Sequence, residues 1–157
     1  MKLYPIEENG HLETDVASQD LSEIVIATQT LYKRKGFVPP WIGYLAVENA
    51  RYVGTCAFTS PPYAGEVEIA YYTFPGCENN GIATSMAGEL LKIARNQTSK
   101  IIIIAHTLPQ DGASSAVLRK HGFELTGEIE HPEDGPVWKW ILRKLDSAPA
   151  DGQTRST

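Results

Sequence analysis

The stretch VEIAYYTFPGCENNGIAT, residues 67–84, constrains the fold more than any other part of this chain. Its first half has the β-branched and aromatic residues of a buried strand, and its second half is a loop of Pro, Gly and Asn that opens a helix. One helix later comes Ile101–Ala105, an almost wholly β-branched run that is typical of a parallel strand covered on both faces. This order of elements predicts a crossover whose loop points free backbone N–H groups at an anion.

The loop predicts a phosphate site, although neither common nucleotide motif is present. It lacks the lysine of GxxxxGK(S/T) and the glycine spacing of GxGxxG, which argues against a P-loop ATPase and a dinucleotide-dependent dehydrogenase. The backbone amides near residues 79–84 would bind the phosphate oxygens, and Asn79 and Asn80 tolerate the positive φ that such a loop needs. The alternative is a helix N-terminus that an Asn side chain caps, with nothing bound.

Charge and composition narrow the class of protein. The 157 residues, 42% of them hydrophobic, suit one domain, which we place at residues 1–145 with a flexible polar tail at 146–157. A net charge of −5 argues against nucleic acid or an anionic membrane as a partner. Two cysteines are too few for a disulfide framework, and the sequence has neither a signal peptide nor a membrane-spanning run. We therefore expect a cytoplasmic protein.

Helix and strand signals on both sides of the crossover predict a mixed α+β fold. Leu3–Ile6 is expected to form an edge strand, and a helix is predicted from the start signature of Asp20 and Glu23 to a left-handed cap at Gly36. The predicted sheet is a meander, one βαβ crossover and a terminal hairpin, with helices on its faces. In addition to the edge strand and to the strand at 101–105, the strands of the sheet are expected at 41–48, 52–59, 66–73, 123–130 and 137–144. A short helix is expected at 114–121.

Three motifs follow one another along residues 40–144. VEIAYY, residues 67–72, resembles a VEIGY-type strand, and ENNGIAT, residues 78–84, resembles a Q/R-x-x-G-x-G/A loop. LPQDGAS at 108–114 and VLRKHGF at 117–123 together resemble an N-x-x-S…VLxKxGF segment. In this order and spacing they resemble the GNAT N-acetyltransferases, most closely the branch of ribosomal-protein N-terminal alanine acetyltransferases. The resemblance implies the GNAT fold, in which two parallel strands splay apart.

The resemblance also implies acetyl-CoA as a co-substrate and no metal. The pantetheine arm would lie in the splay and pair with the backbone around Tyr72, Thr73 and Phe74, where an N–H would also bind the thioester oxygen. Asp111 and Ser114 match positions where the family contacts the cofactor, and Asp111, which replaces the usual Asn, is expected to cap the following helix. The diphosphate would bind the loop residues Asn79, Asn80, Gly81, Ile82, Ala83 and Thr84.

Acetyl transfer to an amine needs a base, and the chain offers two candidates. Glu68 matches the position where some GNAT enzymes carry a glutamate base, although a strand glutamate equally well pairs with a lysine or faces solvent. His106 is the second candidate, although a histidine at a strand end is more often structural. The general acid is unassigned, because Leu118 stands where many GNAT enzymes have a tyrosine. Glu78 replaces the usual Gln or Arg and would weaken diphosphate binding unless it points away.

The predicted function is transfer of the acetyl group of acetyl-CoA to a primary amine by direct attack in a ternary complex. The acceptor would be a protein N-terminus or a small-molecule amine, contacted by the first helix, the 37–41 linker and the 130–136 turn. The alternative, favoured by Glu78, Asp111 and Leu118, is a catalytically weak or inactive module that binds and senses acyl-CoA. The three antiparallel strands before the crossover disfavour an unrelated nucleotide-binding domain. The sequence is compatible with a monomer and with a homodimer.

Overall fold

The computed structural model describes residues 1–9 and 21–144, which form a seven-stranded mixed sheet flanked by helices. The mixed α+β class predicted from the sequence is confirmed. Asp20, the predicted helix start, and the predicted tail at 146–157 lie outside the described residues. No helix of the described part is long and apolar enough to cross a lipid bilayer. The elements are β1 Lys2–Pro5, α1 Ser22–Lys35, β2 Gly43–Glu48, β3 Arg51–Phe58, β4 Glu66–Thr73, α2 Ile82–Gln97, β5 Ile102–Thr107, α3 Ala113–Lys120, β6 Glu124–His131 and β7 Gly135–Leu142.

The strands lie in the order β1-β2-β3-β4-β5-β7-β6, which is the predicted meander, crossover and terminal hairpin. Neighbouring strands are antiparallel except β4 and β5, which are parallel and joined through α2. A parallel pair requires a long crossover of this kind because the chain must return to the same end of the sheet. The last strand, β7, lies between β5 and β6, so that β6 and β1 form the two edges.

The parallel strands β4 and β5 pair over only three residues of each. Glu66 lies opposite Ile102 and Glu68 opposite Ile104, yet β4 continues to Thr73 and β5 to Thr107. Beyond Glu68, β4 stays with β3 and β5 stays with β7, so the two strands part. A V-shaped gap therefore opens toward their C-terminal ends, which confirms the expected splay.

Helices α2 and α3 pack together, and α2 covers the face of the sheet formed by β3 and β4. On β4 this face carries Val67 and Ile69, both almost fully buried. Side chains of a strand alternate between faces, so Glu66 and Glu68 lie on the opposite face. The buried stripe of α2 largely matches the prediction and consists of Ile82, Met86, Ala87, Leu90, Leu91 and Ala94.

Strand β5 runs two residues past its predicted end because β7 continues to pair with it. His106 lies opposite Lys139, and Thr107 lies opposite Trp138. The indole Nε1–H of the fully buried Trp140 also donates a hydrogen bond to the Thr107 hydroxyl at 2.9 Å. His106 therefore lies inside a strand, with its backbone fixed on one side by β7, and not at the strand end that the sequence predicts.

One tyrosine fixes helix α1 against the sheet. The Tyr32 hydroxyl donates a hydrogen bond to the Ile6 carbonyl at 2.8 Å and accepts one from the Gly43 N–H at 2.9 Å. Burial raises the pKa of Tyr32 to about 12. The helix ends at Lys35, but Gly36 has φ 102° and ψ 163°, which is not the left-handed helical cap that the sequence predicts. Its N–H nevertheless bonds the Tyr32 carbonyl at 2.7 Å.

Gly54 provides a stability test of the packing between α2 and the sheet. A Cβ at this position would lie 2.7 Å from the Tyr72 carbonyl oxygen and 2.9 Å from the Met86 side chain. We predict that Gly54→Ala lowers the free energy of unfolding by about 1–3 kcal/mol, because the backbone oxygen cannot move out of the way without straining the sheet. Urea unfolding measures the loss. Gly112→Ala is the control, since a Cβ there meets no atom within 4 Å, and an equal loss in both variants would contradict the prediction.

Candidate active site

A cleft of about 340 Å³ lies where β4 leaves β5, between the loop that precedes α2 and the first turn of α3. The elements predicted to bind a cofactor therefore meet at one place, although they come from β4, from the loop before α2 and from the start of α3. The predicted cofactor residues that line the cleft are Tyr72, Thr73, Asn79, Gly81, Ile82, Ala83, Thr84 and Ser114.

Three predicted cofactor residues do not line the cleft. The Phe74 side chain is buried, and its N–H donates to the Val53 carbonyl at 2.9 Å, so this amide faces β3 and not the gap. The Asn80 side chain turns back onto its own loop and donates to the Glu78 carbonyl at 3.2 Å. Asp111 forms an ion pair with Arg119 at 2.9 Å and does not cap α3. Hydrogen bonds and an ion pair, which motif matching does not reveal, decide all three positions.

The first turn of α2 has free backbone donors that face the cleft. Gly81 occupies the N-cap position with φ 73°, and no side chain caps the helix, which contradicts the alternative of an Asn cap. The first amides of an α-helix have no partner within the helix, so Ile82, Ala83 and Thr84 present unpaired N–H groups. Asn79 has φ 66°, as its residue type allows. The partial positive charge of a helix N-terminus makes this turn suited to an anion such as a phosphate.

Two charged side chains flank this loop with opposite signs. Glu78 lines the cleft, but its Oε1 accepts a hydrogen bond from the Gly76 N–H at 2.7 Å, so that the carboxylate is held by its own loop. The guanidinium of Arg51 donates to the thiol sulfur of Cys77, another cleft residue, at 3.2 Å. The cation therefore offsets part of the carboxylate's repulsion toward an anion. Sequence reasoning missed Arg51 because it belongs to a distant hairpin and no motif includes it.

Alternate backbone amides of β4 point into the gap. The Thr59 N–H donates to the Glu68 carbonyl and the Phe74 N–H donates to the Val53 carbonyl, both at 2.9 Å. The even-numbered residues of this stretch therefore direct their backbone N–H and C=O groups toward β3. In an antiparallel ladder the residues in between face the other edge. The N–H groups of Tyr71 and Thr73 therefore face the side from which β5 has departed. Of the predicted stretch 72–74, only Thr73 offers its amide to the gap, while Tyr71, just before it, was missed.

Tyr71 also lines the cleft with its side chain. Its hydroxyl donates a hydrogen bond to the Ser114 carbonyl at 3.3 Å and so connects β4 with the start of α3. Burial raises the pKa of Tyr71 to about 12, which keeps the phenol protonated near neutral pH. Leu118, where the sequence lacks an expected tyrosine, is fully buried in the core and cannot supply a proton. The phenol that reaches the cleft comes from the strand and not from α3.

Glu68 and His106, predicted as alternatives, are in direct contact. The distance from Glu68 Oε2 to His106 Nδ1 is 2.9 Å, and Glu68 Oε1 accepts a bond of 3.3 Å from the Thr59 hydroxyl. The side chains are 26% and 13% exposed, so solvent reaches the pair without surrounding it. A carboxylate can only accept hydrogen bonds, which assigns the proton to His106 Nδ1 and leaves Nε2 as the unprotonated ring nitrogen.

The face of the sheet around this pair is bounded by α1 and by the turn between β6 and β7. The ring centroid of His131, the last residue of β6, is 5.2 Å from that of His106. Glu133 in the turn lies 3.9 Å from the Arg34 guanidinium at the end of α1. Glu66, beside Glu68 on the same face, lies 4.0 Å from Lys139. No cluster of three or more ligating side chains that could hold a metal ion occurs among the described residues.

A family model described as an acetyltransferase (GNAT) domain matches residues 6–124. Among curated proteins, no sequence match is found. Many solved structures are similar in fold, and several of them are acetyltransferases with coenzyme A or acetyl-CoA bound.

RimL, a ribosomal L7/L12 alpha-N-protein acetyltransferase in complex with coenzyme A, is 19% identical over 77% of this chain and 70% of its own, with a TM-score of 0.61. A ribosomal-protein-alanine N-acetyltransferase from Brucella melitensis is 23% identical over 80% and 79%, with a TM-score of 0.59. The aminoglycoside acetyltransferase AAC(6')-Ib in complex with coenzyme A is 19% identical over 65% of each chain, with a TM-score of 0.56. These similarities show that this chain shares the fold of the three proteins.

The raised pKa of Tyr71 leads to a prediction about stability at alkaline pH. The ordinary pKa of tyrosine is 10.0, and burial raises the pKa of Tyr71 to about 12 in the folded protein. Its stabilising contribution is therefore present below pH 10 and is lost as the pH rises to 12, by about 1–3 kcal/mol. Tyr71→Phe should flatten this part of the stability curve, measured by urea unfolding from pH 9 to 12. Tyr63→Phe is the control because this side chain is 84% exposed. A curve for Tyr71→Phe as steep as the wild-type curve would contradict the prediction.

Proposed function

Since this chain belongs to the GNAT acetyltransferase family, we propose that it transfers the acetyl group of acetyl-CoA to a primary amine, with both substrates bound at once. The observation that carries the proposal is that one splay brings together an uncapped helix start and a carboxylate–imidazole pair. The first suits the anionic donor, and the second suits the removal of a proton from the acceptor.

The cleft has the chemistry that acetyl-CoA requires. Its diphosphate would accept hydrogen bonds from the amides of Ile82, Ala83 and Thr84, which have no side-chain cap. Arg51, held against Cys77, would add positive charge beside the loop. The carboxylate of Glu78 opposes binding, but its bond to the Gly76 N–H limits its approach. The described residues therefore fit the group, with Glu78 as the one unfavourable charge.

The backbone of β4 would orient the thioester. When bound, acetyl-CoA supplies an activated acyl group whose carbonyl oxygen gains negative charge during transfer. The N–H groups of Tyr71 and Thr73 face the gap, and donors placed at such an oxygen in advance stabilise the developing charge. A proton for the departing sulfur could come from the Tyr71 phenol, which lines the cleft and is protonated near neutral pH. This assignment replaces the tyrosine that Leu118 does not supply.

His106 would accept the proton of the attacking amine through Nε2. Glu68 holds Nδ1–H at 2.9 Å, which fixes the tautomer and stabilises the imidazolium that forms. This arrangement assigns the roles in the opposite order to the sequence ranking, since Glu68 orients the base and His106 acts as the base. Both side chains lie on the face of the sheet opposite α2, which supports an acceptor bound on that face.

The acceptor would be a protein N-terminus or a small-molecule amine. Relatives of both kinds share the fold, RimL among the former and AAC(6')-Ib among the latter. The acceptor would lie on the sheet between α1 and the β6–β7 turn, which Arg34 and Glu133 connect. The cytoplasmic location and the choice between monomer and homodimer stay predictions from the sequence.

An acyl-CoA sensor is the second function to test. Asp111 is ion-paired with Arg119, and Leu118 is buried and has no proton to donate, which supports this second function. The contact between Glu68 and His106 favours an enzyme, because a module that only binds acyl-CoA has no need for it.

The first experiment measures coenzyme A binding and thiol release together. At 100 times its dissociation constant, coenzyme A should raise the melting temperature by about 5–10 °C. With acetyl-CoA and a panel of amines, including peptides with free N-termini, free thiol should accumulate only when a suitable amine is present. Stabilisation without release on any amine would favour the sensor, and no stabilisation would contradict both functions.

Asn79→Asp tests the anion site itself. The substitution keeps the size of the side chain and puts a negative charge on the cleft at a residue that is already exposed. We expect coenzyme A to bind about tenfold more weakly, which is about 1.4 kcal/mol. Asn49→Asp is the matched control, since Asn49 also has positive φ and lies in the β2–β3 turn outside the cleft. Equal weakening in both variants would show only a long-range effect of charge.

The pH dependence of the rate in two variants distinguishes the roles of Glu68 and His106. His106→Gln should lower kcat by about 10²–10⁴-fold and remove the acid limb of the profile, because the titrating base is gone. Glu68→Gln should lower the plateau but keep an acid limb. Coenzyme A should stabilise both variants as it does the wild type, which excludes misfolding. If Glu68→Gln removes the acid limb and His106→Gln keeps it, Glu68 is the base.

A further inference from the structure

His131 lies edge to face against the imidazole of His106. The two ring centroids are 5.2 Å apart, and the ring planes meet at 68°. His131 is the last residue of β6 and pairs with Gly135 across the turn, so it belongs to an element remote in sequence from both β4 and β5. Its side chain is only 20% exposed. The pair formed by Glu68 and His106 therefore continues into a third side chain.

The turn fixes the orientation of the His131 ring. Its Nδ1 accepts hydrogen bonds from the Glu133 N–H at 3.1 Å and the Asp134 N–H at 3.3 Å. A nitrogen that accepts two backbone N–H groups carries no proton, so the neutral ring has its proton on Nε2. Protonation of Nδ1 would displace both amides and turn the nitrogen toward the Asp134 carboxylate, now 3.5 Å away. The observed turn geometry thus belongs to neutral His131.

We propose that His131 is a positioning residue for the base, a role that rests on the proposed acetyl transfer. Its ring keeps the His106 imidazole in the orientation that directs Nδ1 to Glu68 and Nε2 to the acceptor. His106 gains a positive charge when it takes the amine proton, and the neutral ring of His131 beside it tolerates that charge. A protonated His131 would set a like charge against it and oppose proton uptake.

Other charges near the two rings moderate this effect without replacing it. The charged groups of this face are Glu66 and Glu68 on β4, Lys139 on β7, Glu133 and Asp134 in the turn, and Arg34 on α1. Lys139 lies opposite His106 in the β5–β7 pairing, but its ammonium is 4.0 Å from Glu66, and Arg34 is 3.9 Å from Glu133. The second imidazolium is therefore the like charge whose ring contacts His106.

Two protonations should therefore switch off the enzyme on the acid side. If both His106 and His131 must be neutral, log kcat/KM falls by two for each pH unit on the acid limb, whereas one titrating base gives a slope of one. A merely structural role of His131 in the turn predicts a slope of one.

Two variants distinguish the contact of the His131 ring with His106 from the hydrogen bonds that His131 accepts in the turn. His131→Phe keeps a ring against His106 but offers no acceptor to the turn amides. His131→Asn offers an acceptor near the position of Nδ1 but has no ring. We expect a slope of one in both variants, a kcat within about threefold of wild type for Phe, and a kcat about tenfold lower for Asn, with KM for acetyl-CoA unchanged. Glu128→Gln, an exposed change on the same strand, should keep the slope of two.

The opposite pattern overturns the proposal. A wild-type slope of one excludes a second titrating group, and full kcat in the Asn variant with loss in the Phe variant assigns His131 to the turn alone. A measurement that does not depend on catalysis distinguishes failure of this inference from failure of the proposed function. In NMR titrations of the free protein, the ring signals of His106 should show two coupled steps in the wild type and one in His131→Phe. Equal single-step titrations in both proteins contradict the inference, whether or not any amine is acetylated.

Discussion

The limited pairing of β4 with β5 is the constraint on which the site depends. After Glu68 the two strands no longer share hydrogen bonds, because β4 follows β3 and β5 follows β7. A sheet interior normally satisfies its amides from both sides. In this protein the gap leaves alternate amides of β4 without a neighbouring strand, and it leaves the start of α2 facing the same opening. Had the strands stayed paired to Thr73, neither the cleft nor its backbone donors would exist.

The alternation of a strand then separates the two halves of the proposed reaction. Val67, Ile69 and Tyr71 face α2 and border the region where acetyl-CoA would bind, whereas Glu66 and Glu68 face the other side of the sheet. In the proposed reaction the donor would lie in the plane of the sheet where the strands part, and the base would reach it from one face. A single strand can thus position both substrates while keeping their binding elements apart.

The chain's own sequence predicted much of this because the signals were local. Hydrophobic periodicity identified the helices and strands within a few residues, and the loop of Pro, Gly and Asn identified the start of α2. Sequence-based prediction failed where a side-chain or strand contact in the folded protein decides the outcome. Phe74 gives its amide to Val53, Asp111 gives its carboxylate to Arg119, and the end of β5 depends on pairing with β7. The Asp111–Arg119 ion pair spans eight residues, and the other two contacts join segments that lie farther apart in the sequence.

The sequence by itself determined the fold class, the crossover and the loop that presents free amides to an anion, since these follow from residue type and spacing. Only the tertiary structure decided that Glu68 contacts His106, that Tyr71 brings a phenol to the cleft, and that the His131 ring lies against His106. The physical reason is that proton transfer depends on distances of about 3 Å between side chains. Such distances are set by strand register and by the parting of two strands, and no local pattern of residues encodes them.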